Sequence, residues 1–346
     1  MRRMIAIGLA LILLLGLAAC TGQSANNAGN SGAANTGNAN AADPSGNANA
    51  AENTTQPDNT SENTANTVPA TLPDEDLRLS EEDWPIVDGA TAFLPFYTAA
   101  AAEILGKTRD EAAQYILCST TDYAYPDLIN GKADIIFCFG PSTDQKNMAK
   151  GKGVEFEYTP ILNEAFVFFV NKDNPVSNIT IQQLHDIYAG KITNWKELGG
   201  NDEEIIPYQR SEGSGSQTGL YQYVIKEDEV MEPPIGGRVP TMAGVIDVVA
   251  SYDNAKGGIG YSYLYFVKNQ HYDENIKLLN VEGVQPSTEA IASGKYPMIN
   301  TAYAIIIDKQ PADSPARKIA AWCRTEKAKQ FAEELGYVFY KDPAGK

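Results

Sequence analysis

Arg210-Ser211-Glu212-Gly213-Ser214-Gly215-Ser216-Gln217-Thr218-Gly219 places a guanidinium, several hydroxyls and a glycine-rich backbone directly ahead of an amphipathic run over residues 218–226. A helix that starts near Ser216 leaves its first N–H groups without partners inside the helix, and its dipole favours negative charge at that end. Arg210 adds a formal positive charge in a planar fork that matches phosphate or sulfate oxygens. A solvated Ser/Gly turn has the same composition, so the stretch acquires meaning only beside two others. Val87-Asp88-Gly89-Ala90-Thr91-Ala92 precedes a helical pattern over residues 96–105, where Pro95 is tolerated because a first turn needs no N–H partners. Cys118-Ser119-Thr120-Thr121-Asp122 follows a short apolar run and precedes a segment ending at Gly131. Singly, each hydroxyl is an N-cap. Together the three loops describe a cleft in which helix N-termini converge on a small anion.

Around these loops the periodicity is that of a mixed α/β chain. Apolar runs over residues 133–139, 165–170, 258–266 and 302–307 read as buried strands, with helical patterns over 180–188, 244–251 and 316–335, the last broken near Thr325. Strands alternating with helices argue for parallel sheets, and the length suits two α/β lobes. Trp195 is expected to anchor a core. The tyrosines at 208, 221, 223, 261, 263 and 265 are expected mainly in packing, one or two of them at the cleft mouth.

The N-terminal region carries an address. Arg2 and Arg3 precede an apolar run over residues 5–17 that is too short for a lasting transmembrane helix, which reads as a secretory signal. Leu17-Ala18-Ala19-Cys20 resembles the lipobox of bacterial lipoproteins, implying cleavage after residue 19 and acylation of Cys20. Acyl chains at about 0.8 kcal/mol per buried methylene would make that anchor effectively permanent. Residues 20–73, nearly all Asn, Ala, Gly, Ser and Thr, cannot bury enough apolar surface to offset chain entropy and are expected to form a disordered tether. Residues 74–346 then form the folded, solute-binding part.

With 27 basic and 44 acidic residues the formal charge is −17, which makes nucleic acid and anionic lipid poor partners. An anion site in such a chain must rely on local dipoles and a buried arginine. Cys118, Cys138 and Cys323 show no metal spacing; Cys118 and Cys138 lie in apolar surroundings and are expected to be buried small hydrophobes, with the disulfide state open. His185 and His271 are the only histidines, and Ser214 lacks the glycine two residues earlier that a nucleophile elbow requires. His185 lies in a helical pattern and reads as structural. No Walker A, zinc or dinucleotide pattern occurs, so neither catalysis nor a cofactor or metal is expected.

Asn163-Glu164-Ala165-Phe166-Val167-Phe168-Phe169-Val170-Asn171, Leu184-His185-Asp186-Ile187-Tyr188-Ala189-Gly190-Lys191-Ile192-Thr193-Asn194-Trp195 and the Arg210–Ser216 loop occur in an order and spacing similar to the phosphate-binding subunit of bacterial phosphate ABC transporters. Gly258-Ile259-Gly260-Tyr261 and Leu335-Gly336-Tyr337-Val338 extend the resemblance to nearly everything after the tether. It implies a periplasmic-binding-protein type II fold. Two lobes, residues 74–162 plus 264–346 and residues 163–263, would close on ligand about crossover strands near 159–168 and 258–266. It also implies a monomeric, lipid-anchored receptor on the extracytoplasmic face of the cell membrane that captures inorganic phosphate and delivers it to a membrane permease. The contacts it implies are Thr91 and the Ala92 amide, Thr121, and Arg210, Ser214, Gly215 and Ser216, with Glu212 orienting Arg210. Phe139 stands where relatives carry an aspartate that accepts the proton of phosphate, and only Asp144 or Glu212 could substitute if the loop at 141–143 folds inward. Without that acceptor, sulfate or another tetrahedral oxyanion remains an alternative ligand, and a sensor or adhesion role on the same scaffold an alternative function.

Overall fold

In a computed structural model of the chain, residues 74–251 and 257–341 are described. The leader, Cys20 and the tether lie outside these residues. Ten strands occur among them: β1 Val87–Gly89, β2 Ile135–Cys138, β3 Phe156–Asn171, β4 Asn178–Ile179, β5 Ile206–Pro207, β6 Gly258–Tyr263, β7 Ile276–Leu278, β8 Asn280–Val281, β9 Ile299–Ile307 and β10 Val338–Phe339. The α-helices are α1 Leu94–Leu105, α2 Arg109–Ala112, α3 Thr121–Ile129, α4 Thr143–Lys152, α5 Ile181–Tyr188, α6 Gly215–Tyr223, α7 Met242–Ala250, α8 Thr288–Ala292, α9 Pro315–Trp322 and α10 Glu326–Leu335.

β3 organises the whole sheet. Its first half alternates between half-buried and buried residues, whereas every residue from Ala165 to Asn171 is buried. That change in the sequence, from Phe156-Glu157-Tyr158-Thr159 to Phe166-Val167-Phe168-Phe169-Val170, matches a change of partner. Residues Phe156 to Ala165 pair antiparallel with β9, and Phe166 to Asn171 pair antiparallel with β6 and β7. The register shifts between Pro160 and Leu162, where proline has no N–H to give the ladder. One section of the sheet thus holds β1, β2, β9, β10 and the start of β3, and the other holds β5, β6, β7 and its end.

Between the described strands, parallel pairing, expected throughout, is confined to β1 with β2, β5 with β6 and β4 with β8. The sheet is mixed because β3, which runs through both sections, is antiparallel to β9, β6 and β7, and β9 is antiparallel to β2. Directly after β6 the chain touches the first section, Tyr265 stacking on Tyr337 and Gln270 Nε2 donating to Ala92 O. It then supplies β7 to the far end of β3 and β8 to β4 before β9 enters the first section.

Helix ends follow the local chemistry. Thr180 caps α5, and Gly190, just beyond it, adopts φ 71°. The helical pattern over residues 316–335 divides at Thr325, which follows α9 and whose hydroxyl accepts from Ala328 N to start α10. Trp195 is fully buried, and its Nε1 donates to Gly257 O at 2.9 Å. His185 contacts Asp186 and Glu229, a structural arrangement. All three described cysteines are free; Cys138 and Cys323 are buried, but Cys118 is exposed, because its loop forms the rim of the cleft rather than a strand.

Glu164 lies in β3 immediately before the change of partner. Its carboxyl accepts from Ala165 N at 2.9 Å and Tyr265 N at 3.1 Å, and burial pushes its pKa up from 4.5 to about 8 against the smaller opposing pull of those two bonds and of Lys268. Between these two values the native state holds a proton that the unfolded chain has released, so stability falls as pH rises from about 4.5 to about 8. Glu164→Gln mimics the protonated form. In urea titrations the variant is expected to gain on the parent at pH 9 and to match it at pH 4; an equal difference at both pH values would refute the assignment.

Candidate functional site

The three loops read from the sequence meet. A cavity of about 270 Å³ is lined by Thr91 and Ala92, by Thr120 and Thr121, and by Arg210, Ser214, Gly215 and Ser216. The first and third groups follow strands, β1 and β5, and the second follows a single bridge of Ile116 to Val87; each then leads into a helix. β1 leads into a 3-10 turn over Thr91–Phe93 and then α1, with Pro95 in its first turn. Tyr337 Oη, at 2.6 Å, and Gln270 Nε2, at 3.3 Å, both donate to Ala92 O, which fixes this turn from behind.

The second loop is set by Asp88, a fully buried side chain at the middle of β1. It accepts from Gly89 N at 2.7 Å, from Ser119 N at 2.8 Å and from the Ser119 hydroxyl. Holding Ser119 this way carries Thr120 to φ 71°, an uncommon conformation for a non-glycine residue, at the entry to α3. The strain places Thr121 at the helix start, facing the cavity. Asp134, as expected of a strand-end residue, accepts from Ile86 N at 2.8 Å and takes no part in the cleft.

Ser214 caps α6 by accepting from Gln217 N at 3.1 Å, so the helix begins at Gly215, beside the start expected near Ser216. Two tyrosines of β6 support this turn. Tyr261 Oη bonds the Gln217 side chain and receives Arg210 N at 3.0 Å; Tyr263 Oη donates to Gly215 O at 3.1 Å. Tyr263 also lines the cavity, stacked on Phe139 with ring centroids 3.9 Å apart.

Arg210 is 4% exposed. Nε donates to Val239 O and Nη2 to Pro240 O, each at 2.9 Å, while Nη1 is buried and has no partner. Burial lowers the pKa of the guanidinium, with smaller opposing effects from Tyr261 and Asp122; arginine nevertheless stays charged in proteins. Two of its nitrogens are tied back by main-chain carbonyls and the third has no partner. Glu212 does not orient it. That carboxylate binds Arg238 at 2.8 Å and Tyr221 at 2.5 Å, and the expectation of an acidic neighbour on Arg210 is replaced by the two carbonyls.

Those carbonyls belong to a part of the site that the sequence reading passed over. Pro240, Thr241, Met242 and Ala243 also line the cavity, and Thr241 caps α7 by accepting from Gly244 N at 3.0 Å. A threonine directly before an apolar helical run was the available signal. Phe139 and Phe266 complete an apolar wall. Neither Asp144, which is exposed, nor Glu212 lines the cavity, and among the described residues no carboxylate or imidazole does.

Hydrogen bonds join one wall of the cleft to the other. Ser211 Oγ donates to Asp122 Oδ2 at 2.8 Å, and Gln145 Nε2 reaches Thr121 O at 3.1 Å and Gly213 O at 3.2 Å. These bonds join α3 and α4, beside the first section of the sheet, to the loop before α6 on the second. Among the described residues no helix is long and apolar enough to cross a membrane.

Comparison with known proteins agrees with this architecture. The chain is 30% identical over 170 residues to the phosphate-binding protein PstS of Bacillus subtilis, an alignment that spans 49% of this chain and about half (53%) of that relative. It is 27% identical over 225 residues to the phosphate-binding protein PstS of Staphylococcus epidermidis, covering 63% and 67%. Among solved structures, a putative phosphate ABC transporter substrate-binding protein from Clostridium perfringens, solved with bound phosphate, superposes with a TM-score of 0.59 at 20% identity, covering 74% of this chain and 99% of that one. An ABC-type phosphate transport receptor from Vibrio cholerae superposes with a TM-score of 0.56 at 22% identity, covering 73% and 99%. At these identities the superpositions speak to the fold. A family model described as the PBP superfamily domain matches residues 32–335, and the chain belongs to that superfamily.

Proposed function

We propose that the protein is an extracytoplasmic solute-binding protein that captures inorganic phosphate in this cleft and delivers it to an ABC permease. The observation that carries the reading is the buried Arg210, with Nη1 unpartnered, in the lining of a cavity ringed by the 3-10 turn before α1 and the starts of α3, α6 and α7. Helix-start amides, the hydroxyls of Thr91, Thr121, Ser214 and Ser216 and one guanidinium make a ring of donors for a tetrahedral anion. Thr91, Ala92, Thr121, Arg210, Ser214, Gly215 and Ser216 are its proposed ligands. No group in this set is arranged as a nucleophile with a base, which supports binding without turnover. Acylation of Cys20, with residues 20–73 as tether, would hold a monomeric receptor at the membrane surface within reach of its permease.

One observation favours a second ligand. Phosphate at neutral pH carries a proton that needs an acceptor, sulfate carries none, and the lining contains no carboxylate. Sulfate is therefore expected to compete. Isothermal titration with phosphate and then sulfate tests both statements: phosphate is expected to bind at a single site, with sulfate within about tenfold, a difference of about 1.4 kcal/mol. Absence of heat with either anion would remove the oxyanion reading.

A further inference from the structure

We propose that this cleft accepts a phosphate monoester bearing a small apolar group, taken as its dianion, about as well as it accepts inorganic phosphate. The inference rests on the oxyanion reading of the same cavity and names the substrate class that its walls fit.

The first ground is size. Hydrogen bonds from Ser211 to Asp122 and from Gln145 to Gly213 already join the two walls, and the cavity beside them measures about 270 Å³. Inorganic phosphate has five heavy atoms. Allowing each of them the ~30 Å³ that a water occupies in the liquid leaves roughly 100 Å³ or more unfilled. An inorganic anion would have to share that remainder with water against an apolar wall, whereas a carbon substituent would fill it.

The second ground is the chemistry of that wall. Phe139, Pro240, Met242, Ala243 and Phe266 offer no hydrogen-bonding side chain to an ordered water. Phe139 is held in place from three sides: its ring stacks on Tyr263 and meets Phe93 edge-on, and its carbonyl accepts from Tyr125 Oη at 2.6 Å. Apolar area removed from water there favours a ligand that carries some of its own.

The third ground is proton count. Inorganic phosphate keeps at least one P–OH at neutral pH, and that donor needs an acceptor. A monoester, whose second ionisation lies near pH 6, has none left above pH 7. Among the described residues no carboxylate lines the cavity, so the P–OH proton could be accepted only by neutral oxygens such as hydroxyls, of which Ser214 Oγ and Tyr263 Oη already accept one bond each, from Gln217 N and Asn300. A dianion bearing only acceptor oxygens asks for no such acceptor and suits the helix-start amides and the guanidinium, leaving its fourth substituent for the apolar wall.

The test is a titration of the purified protein at pH 8 with inorganic phosphate, ethyl phosphate and phenyl phosphate, repeated on Arg210→Ala. Either ester binding within tenfold of inorganic phosphate or more tightly, with that binding lost in Arg210→Ala, is the expected result. If phosphate binds and both esters are more than tenfold weaker, or if ester binding survives in Arg210→Ala, the inference is overturned while the phosphate reading stands. If none of the three binds, the oxyanion reading itself fails.

Discussion

Replacing Arg210 by alanine is expected to reduce phosphate affinity by about 30-fold to about 4,000-fold. That range corresponds to the roughly 2–5 kcal/mol lost when one partner of a desolvated, hydrogen-bonded charge pair is truncated. The size follows from burial. With Arg210 4% exposed and Nη1 unpartnered, the ligand's charge would otherwise meet only partial dipoles. Lysine should not rescue the loss. The planar fork holds Val239 O and Pro240 O with two nitrogens and leaves a third for the ligand, and a flexible ammonium cannot occupy all three directions as one rigid unit. Calorimetry on both variants, with circular dichroism to establish that they are folded, checks the claim. Unchanged affinity in Arg210→Ala would show that the cavity is not the anion site.

Arg317→Ala is expected to cost about 3–5 kcal/mol of stability, a large part of the roughly 5–15 kcal/mol typical of a folded domain. Arg317 on α9 is nearly buried and meets Glu157 of β3 through both terminal nitrogens, the Nη2 contact being 2.7 Å. Its Nε also donates to Gln310 O at 3.1 Å, and the bonds to Glu157 raise the pKa of the guanidinium. Truncation leaves the Glu157 carboxylate buried without a counter-charge, which is what makes single removal expensive. Replacing both residues together, as Glu157→Leu with Arg317→Met, is expected to recover most of the loss, because well-packed apolar pairs are often neutral or better than buried ion pairs. Urea unfolding of the two variants distinguishes these outcomes. A loss under about 1 kcal/mol for Arg317→Ala would mean that the pair behaves as a solvent-screened surface contact. Arg317 is outside the cleft lining, so folded molecules of this variant should still bind phosphate.

The two variants separate two kinds of arginine in one acidic chain. Arg317 is neutralised inside the fold by a carboxylate, whereas the Arg210 side chain is tied only to neutral carbonyls. A permanent carboxylate on Arg210 would compete with the ligand. Glu212 has the right charge and lies two residues away, yet it is occupied by Arg238 and Tyr221.

The sequence by itself determined the alternation of buried runs and helices, the break at Thr325, the burial of Trp195 and the three hydroxyl-rich loops that meet at the cleft. These are local properties: a cap, a turn or an apolar period is written within a few neighbouring residues. Tertiary structure alone decided the rest. Whether Glu212 or a pair of carbonyls holds Arg210 depends on the chain returning through Val239 and Pro240, about thirty residues later, a contact between distant segments that no local pattern encodes. The same return brings α7 into the ring, and the pairing of β3 with both sections of the sheet makes the sheet mixed rather than parallel. Exposure of Cys118 likewise follows from where its loop lies, not from its apolar neighbours in sequence. Local chemistry selects the elements, while which charges end up paired and which remain free is settled only when non-local packing excludes water and fixes the partners.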